Sequence, residues 1–267
     1  MLPQKGESPQ EEIPEPSYFE LQAYWGATKH MGGLNATKEL IGLCHINKDT
    51  YLLDVGCGVG ATPCYIAKRH SSKVIGIDIS GRMIDRAKER ARREGLENKV
   101  EFRVADVQNL PFGHASFDVT IGESVLTFVK DKRRAVSECV RVTKPGGYVG
   151  LNEETWVMAP SQEFVEYASR MWDIEAEILT QNGWEELLRE LGLRDLVART
   201  RTFDASWGEY ISEISRYGVL DFLGMSYRAI AMYVKSPAFR KYTKGRYTSL
   251  PKHFFEYLGY GIYVGRK

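Results

Sequence analysis

LLDVGCGVG, residues 52–60, is an apolar run that takes in Asp54 and then places Gly56, Gly58 and Gly60 at alternate positions. Tyr51 to Val55 is short, apolar and bounded by a turn signal, so it reads as a buried strand. Ala61 to His70 follows as a helix, with Pro63 in the first turn, where its missing N–H does no harm. A strand feeding a glycine-rich turn feeding a helix holds nucleotides and nucleosides: the glycines let a ligand approach the backbone, and the helix start offers free N–H groups. Nicotinamide enzymes share this device, but their fingerprint is G-x-G-x-x-G, whereas the spacing here is G-x-G-x-G. Asp54 adds to the distinction. A carboxylate just ahead of the loop suits a ligand that carries an ammonium and a sulfonium, and suits a pyrophosphate badly.

Outward from this loop the chain alternates. Lys73 to Ile79 is a second strand. Ser80 is an N-cap for a helix whose Met83, Ile84, Ala87 and Ala91 share one face, and Gly95 stops that helix. Val100 to Ala105 and Phe117 to Ile121 are strands three and four. A helix from Asp131 to Val142 runs into Lys144-Pro145-Gly146-Gly147, a helix-stop and turn signal. Tyr148 to Asn152 is strand five, Leu196 to Phe203 strand six and Tyr260 to Gly265 the last, with helical segments at Ser161 to Leu179 and Gly183 to Leu191. Strands alternating with helices predict βαβ units, a parallel sheet and right-handed crossovers. Asp54, Asp78, Asp106 and Glu123 each follow a strand, and all would gather at the carboxyl edge where such sheets bind ligands. Asp78 suits a pair of ribose hydroxyls, and Asp106 an exocyclic amine.

Composition narrows the class. The 267 residues are 43% hydrophobic and 27% charged, enough for a large core. With 36 Lys and Arg against 35 Asp and Glu the net charge is +1, so no strong nonspecific pull toward nucleic acid or acidic membrane is expected, a local basic patch aside. Cys44, Cys57, Cys64 and Cys139 have neither zinc nor disulfide spacing, which points to free thiols, a reducing cytoplasm and no metal. Met1 to Ser17 has no apolar core of a signal peptide and reads as a disordered leader. Val219 to Val234 carries Asp221 and Arg228 and is too short to span a bilayer.

The ordered set LLDVGCGVG, VIGIDIS, FRVADVQNLPF, FDVTIGESVLTFV and VTKPGGYVGL resembles the motifs of class I S-adenosylmethionine-dependent methyltransferases, in particular the small-molecule branch with the ubiquinone and menaquinone biosynthesis enzymes. The resemblance covers about residues 50 to 152. It implies a Rossmann-like, doubly wound seven-stranded α/β sheet whose last strand is antiparallel, with S-adenosylmethionine as cofactor. It further implies that Asp54, Gly56 and Gly58 line the methionine part, with Cys57 among the cofactor-binding residues, that Asp78 holds the ribose with Ile79 against the adenine, that Asp106 and Val107 read the adenine edge, and that Gly122 and Glu123 lie beneath the methionine. In similar enzymes an N-terminal helix folds over the cofactor, which makes residues 18–47 a helical lid and Tyr24 and His30 its candidate contacts. The catalytic domain then comprises 48–203 and 251–267, with 204–250 a helical substrate cap inserted before the last strand.

The acceptor is less defined. His30, Tyr24, Glu123 and Glu153 are candidate bases, each with a plainer reading: loop residue, packing aromatic, cofactor contact and solvated strand-end acid. Trp207, Tyr210, Tyr217, Phe222, Met225, Tyr227, Met232, Tyr233 and Phe239 either form core or wall a pocket for a largely apolar metabolite, such as a quinone precursor or lipid. The run Lys235, Arg240, Lys241, Lys244 and Arg246 is a solvated face or meets an anionic head group. Three other readings stay open: a protein or RNA acceptor, a non-catalytic cofactor-binding subunit, and a nicotinamide enzyme. The Pro-Pro-aromatic loop of base-methylating enzymes is replaced here by Gly122-Glu123-Ser124-Val125. A monomer or a homodimer fits equally.

Overall fold

A computed structural model describes residues 18–26, 30–172, 177–202, 219–237, 239–240 and 250–267. The elements run α1 Tyr18–Trp25, α2 Gly33–Leu43, β1 Tyr51–Val55, α3 Ala61–His70, β2 Lys73–Asp78, α4 Gly81–Glu94, β3 Val100–Val104, β4 Phe117–Glu123, α5 Lys132–Val142 and β5 Thr143–Trp156. They continue with α6 Gln162–Trp172, α7 Gln181–Glu190, β6 Arg194–Thr202, α8 Val219–Lys235, the short α9 Phe254–Tyr257 and β7 Leu258–Arg266. The proposed leader 1–17, and Trp207, Tyr210, Tyr217, Lys241, Lys244 and Arg246, lie outside the described residues.

The strands form one sheet in the order β3-β2-β1-β4-β5-β7-β6. The first five pair in parallel, and β7 runs antiparallel to both β5 and β6. Strand order reverses between β1 and β4, so the ends of those two strands flank the crevice where doubly wound sheets bind ligands. Two apolar layers sandwich the sheet. Leu52, Val74 and Ile121 pack with Leu40 of α2, Ile66 of α3 and Ile84 of α4. Leu53, Ile75 and Leu151 pack on the other face with Val136 of α5 and Trp184 of α7. Adjacent residues of β1 thus serve opposite layers, which is why parallel strands read as unbroken apolar runs.

Two local signals act as expected. The Ser80 hydroxyl accepts from the Met83 N–H, and Gly95 ends α4 at φ 67°. Strand five differs from its expected span of Tyr148 to Asn152. It begins at Thr143 and runs to Trp156. Phe117 pairs with Thr143 and Val119 with Tyr148, so Lys144-Pro145-Gly146-Gly147 forms an irregularity inside the strand instead of a turn before it. Beyond Asn152 the strand persists through Glu153 and Glu154 because β7 pairs with it as far as Trp156 and Leu258. Pairing and burial override the poor strand preference of adjacent glutamates.

The close approach of α2 to the sheet depends on Gly150. A Cβ there would lie 2.5 Å from Cys44 Sγ and 2.9 Å from Leu40 Cδ1. Gly150→Ala is expected to lower stability by about 1–3 kcal/mol, as overpacking does. Urea unfolding of Gly150→Ala with and without Cys44→Ala checks this: the second change should restore part of the loss, and simple additivity would refute the clash.

Candidate functional site

The glycine loop owes its spacing to backbone conformation. Gly56, Gly58 and Gly60 have φ of 71°, 52° and 74°, a left-handed region that residues with a Cβ rarely occupy. The loop is tied down by the Cys57 N–H donating to Ile77 O at 2.8 Å and the Gly60 N–H to Cys57 O at 3.0 Å. Cys57 is buried, which pushes its thiol well above its ordinary pKa and leaves it a packing residue.

Asp78 joins the loop to the next helix. Its Oδ2 accepts from the Gly58 N–H at 2.9 Å, and its Oδ1 accepts from the Ser80 N–H at 2.9 Å. Burial raises its pKa, while the two amides act in the opposite direction. Asp106 Oδ1 accepts from the Gln108 N–H at 2.8 Å. Ile79, between these acids, is 74% exposed, an aliphatic face without protein cover.

Glu123 ends β4 and is buried. Its Oε1 accepts from the Thr37 hydroxyl at 2.9 Å, and its Oε2 accepts from the Thr62 hydroxyl at 2.8 Å. His30, also buried, places Nε2 3.7 Å from Glu123 Oε2. Two hydroxyl donors fix the carboxylate as an acceptor, and the imidazole stands against it.

Asp54, Asp78, Asp106 and Glu123 all border one cavity of about 300 Å³ at the carboxyl edge of the sheet. Gly56, Cys57, Ile79, Val107 and His30 border it too. Its lining carries these four acids against one lysine, Lys130, while Ile79, Met83 and Val107 supply apolar wall. Gly58 reaches the site through its N–H on Asp78. Gly122 does not border the cavity; it packs where a Cβ would lie 3.1 Å from Val55 and 3.2 Å from Val125.

Two further expected residues, Tyr24 and Glu153, stand elsewhere. Tyr24 does not line this cavity: its ring lies beneath Arg82 Cζ at 5.9 Å, beside a separate hollow on α4. Arg86 explains the displacement, because its guanidinium holds the Ala23 and Tyr24 carbonyls at 3.0 and 2.8 Å and so sets the end of α1 on α4. From α1 it is Gln22 that reaches the cavity.

Glu153 is not a solvated acid. It is fully buried, and its carboxylate accepts from the N–H groups of Val125, Leu126 and Thr127 and from the Thr127 hydroxyl, at 3.2, 2.9, 2.9 and 2.9 Å. It therefore anchors the 3₁₀ turn Leu126–Phe128 that follows β4. Ser124, at φ 50°, turns the chain into that segment. Val125, Phe128 and Val129 then border the cavity, and Phe128 also packs with the aromatic cluster of Trp156, Tyr167 and Phe254. Thr37, Thr62 and Gln22 were not legible as site residues, and Phe128 was quoted only as part of a motif. A lone threonine or glutamine in a helix carries no motif, and only the fold brings them to the strand ends.

A family model described as a methyltransferase domain matches residues 53–151, from β1 to β5. Phosphoethanolamine N-methyltransferase 1 of Arabidopsis thaliana is 34% identical over 176 residues, which are 64% of this chain and 34% of that protein. The 27-O-demethylrifamycin SV methyltransferase of Amycolatopsis mediterranei is 30% identical over 177 residues, 64% of either chain. The chain thus spans less than two thirds of the length of each of these relatives. Among solved structures, phosphoethanolamine N-methyltransferase 2 of Haemonchus contortus, in complex with S-adenosyl-L-methionine, shares the fold with a TM-score of 0.70 at 19% identity, covering 97% of this chain and 58% of that one. Among the described residues no helix is long and apolar enough to cross a membrane.

Proposed function

We propose that this chain, whose residues 53–151 belong to the methyltransferase domain family, transfers a methyl group from S-adenosylmethionine to a small, largely apolar acceptor of quinone-precursor or lipid-like character. The observation that carries the reading is the meeting of four strand-end acids and the glycine loop around one cavity.

The residues present fit the cofactor. Asp54 and Glu123 favour a cationic end through charge. The Asp78 carboxylate is oriented by two amides and keeps lone pairs for a vicinal diol. Exposed Ile79, with Val107, offers apolar surface to a flat ring, and Asp106 stands beside it. When bound, the cofactor supplies a methyl group already activated on a sulfonium, so the protein's work is to orient the partners and exclude water. His30, which borders the cavity with Nε2 3.7 Å from Glu123 Oε2, is the side chain we assign to receive a proton from an acceptor. Phe128 and Val129, backed by the Trp156 cluster, support an apolar acceptor.

Calorimetric titration with S-adenosylmethionine, S-adenosylhomocysteine and NAD tests the first step. Binding of the first two and not the third is expected, and the reverse would overturn the reading. Labelled methyl transfer to a panel of hydroquinones, amphiphiles and phosphoethanolamine then tests the acceptor. Under this reading His30→Ala slows turnover by about 10²–10⁴-fold, the usual share of a general base, with little change in cofactor affinity. An equal fall in cofactor affinity would make His30 a binding residue instead.

A further inference from the structure

The helix α8 carries apolar side chains on two opposite faces. Met225 and Met232 are buried, and Met225 packs with Ala23 of α1, Val59, and Met83 of α4. The helix is locked in this orientation by ion pairs from Arg90 and Arg93 to Asp221, at 2.8 and 2.7 Å, and by Arg228 Nε donating to Trp25 O at 2.7 Å. On the other side Leu223, Tyr227, Ile230 and Val234 are 58, 74, 64 and 68% exposed. Their spacing of four, three and four residues stacks them in one stripe along the helix. The core-facing side is already satisfied, so the stripe is surplus to the packing of this helix. Contiguous exposed apolar surface of this kind marks an interaction site.

Charge identifies the partner. Among the described residues 219–240 there are three cations, Arg228, Lys235 and Arg240, and a single acid, Asp221, in a chain whose net charge is only +1. That acid is already taken by Arg90 and Arg93. An apolar stripe within a segment of such positive balance is the pattern of a helix that lies in the plane of a membrane interface. A second copy fits less well, because a two-fold axis through the stripe would bring Lys235 and Arg240 of both copies toward each other. Nucleic acid would satisfy the cations and leave four aliphatic and aromatic side chains in water.

We propose that the outward face of α8 docks this chain on an anionic lipid surface. The docking itself does not rest on the methyl-transfer reading, since it needs neither cofactor nor acceptor.

Co-sedimentation of the full chain, without cofactor, is read with vesicles of phosphatidylcholine alone and of phosphatidylcholine mixed with phosphatidylglycerol. Partitioning onto the anionic vesicles is expected to exceed that onto neutral ones by roughly tenfold or more and to weaken with added salt. Tyr227→Glu and Ile230→Glu, both at exposed positions, should reduce it by a similar factor while leaving the thermal midpoint and cofactor binding unchanged. No sedimentation with anionic vesicles at low salt, or equal binding to neutral ones, would overturn the proposal. So would light scattering that shows a dimer broken by the same two substitutions, because the stripe would then belong to a second copy.

Discussion

Replacing Asp78 with alanine is expected to weaken S-adenosylmethionine binding by roughly a hundredfold or more, the loss of two hydrogen bonds to an ionised acceptor. The carboxylate does two things at once. It receives the Gly58 and Ser80 amides, which hold the glycine loop against the start of α4, and it faces the cavity with its remaining lone pairs. Alanine removes both roles, so a stability loss of about 1–3 kcal/mol should accompany the loss of affinity as the two amides lose their partner. Asp78→Asn separates the roles. Its side chain has one oxygen where Asp78 has two, so one amide keeps its acceptor and the other meets an NH₂ group. Calorimetry on Asp78→Asn should show most of the affinity loss with less of the stability loss. Unchanged affinity in either variant would mean that Asp78 only braces the loop.

The second large effect concerns Glu153. Glu153→Ala would leave three amides, two of them buried, and a buried hydroxyl without their acceptor, and is expected to cost about 4 kcal/mol, near the upper end for point substitutions. The turn Leu126–Phe128 should loosen with it, so the wall formed by Val125, Phe128 and Val129 would be lost at the same time. Denaturant unfolding measures the first effect, and hydrogen exchange at residues 125–129 the second. Retained protection there would refute the anchoring role.

The same strand predicts a pH dependence. Burial, with Glu154 adjacent, raises the Glu153 carboxyl above the ordinary glutamate value of 4.5, and burial raises Glu154 as well. The folded state therefore holds protons that the unfolded state has released. Stability is fully present below about pH 4.5 and falls as pH rises from there toward neutrality, by up to about 1.4 kcal/mol per pH unit for one extra proton. Glu39, Asp118 and Glu138 are shifted downward by arginine and lysine partners, so their opposite contribution falls below that window. Unfolding free energies at mildly acidic and mildly alkaline pH should show the slope in the natural protein and a shallower one in Glu154→Gln. Equal slopes would exclude the pair as the cause.

Legibility followed the range of the interactions. The strand β1, the loop and α3 were readable because each rests on neighbours: an apolar run, left-handed glycines and a helix start. The Ser80 cap and the Gly95 stop are local in the same way. The antiparallel last strand and the seven-stranded order came from the resemblance of five ordered motifs, and the structure has that topology. Glu153 was unreadable because its donors lie 26 to 28 residues away, and the residue alone looks like any acid near a strand end. Tyr24 misled for the converse reason: an aromatic beside glycines suggests a lid contact, yet the Arg86 contacts set the end of α1 so that Gln22, not Tyr24, reaches the cavity.

By itself, then, the sequence determined the parallel architecture, the glycine loop and the four acids at consecutive strand ends. Periodicity, φ preference and capping act over a few residues and leave their mark in the order of the chain. Only the tertiary structure decided what those acids face. Glu123 meets Thr37 from 86 residues away and Thr62 from 61, His30 is brought against it, and Glu153 turns inward to hold the cavity wall. These pairings arise from the stacking of α2, α3 and β5 around the strand ends. No local preference encodes which side chain a distant helix will deliver there.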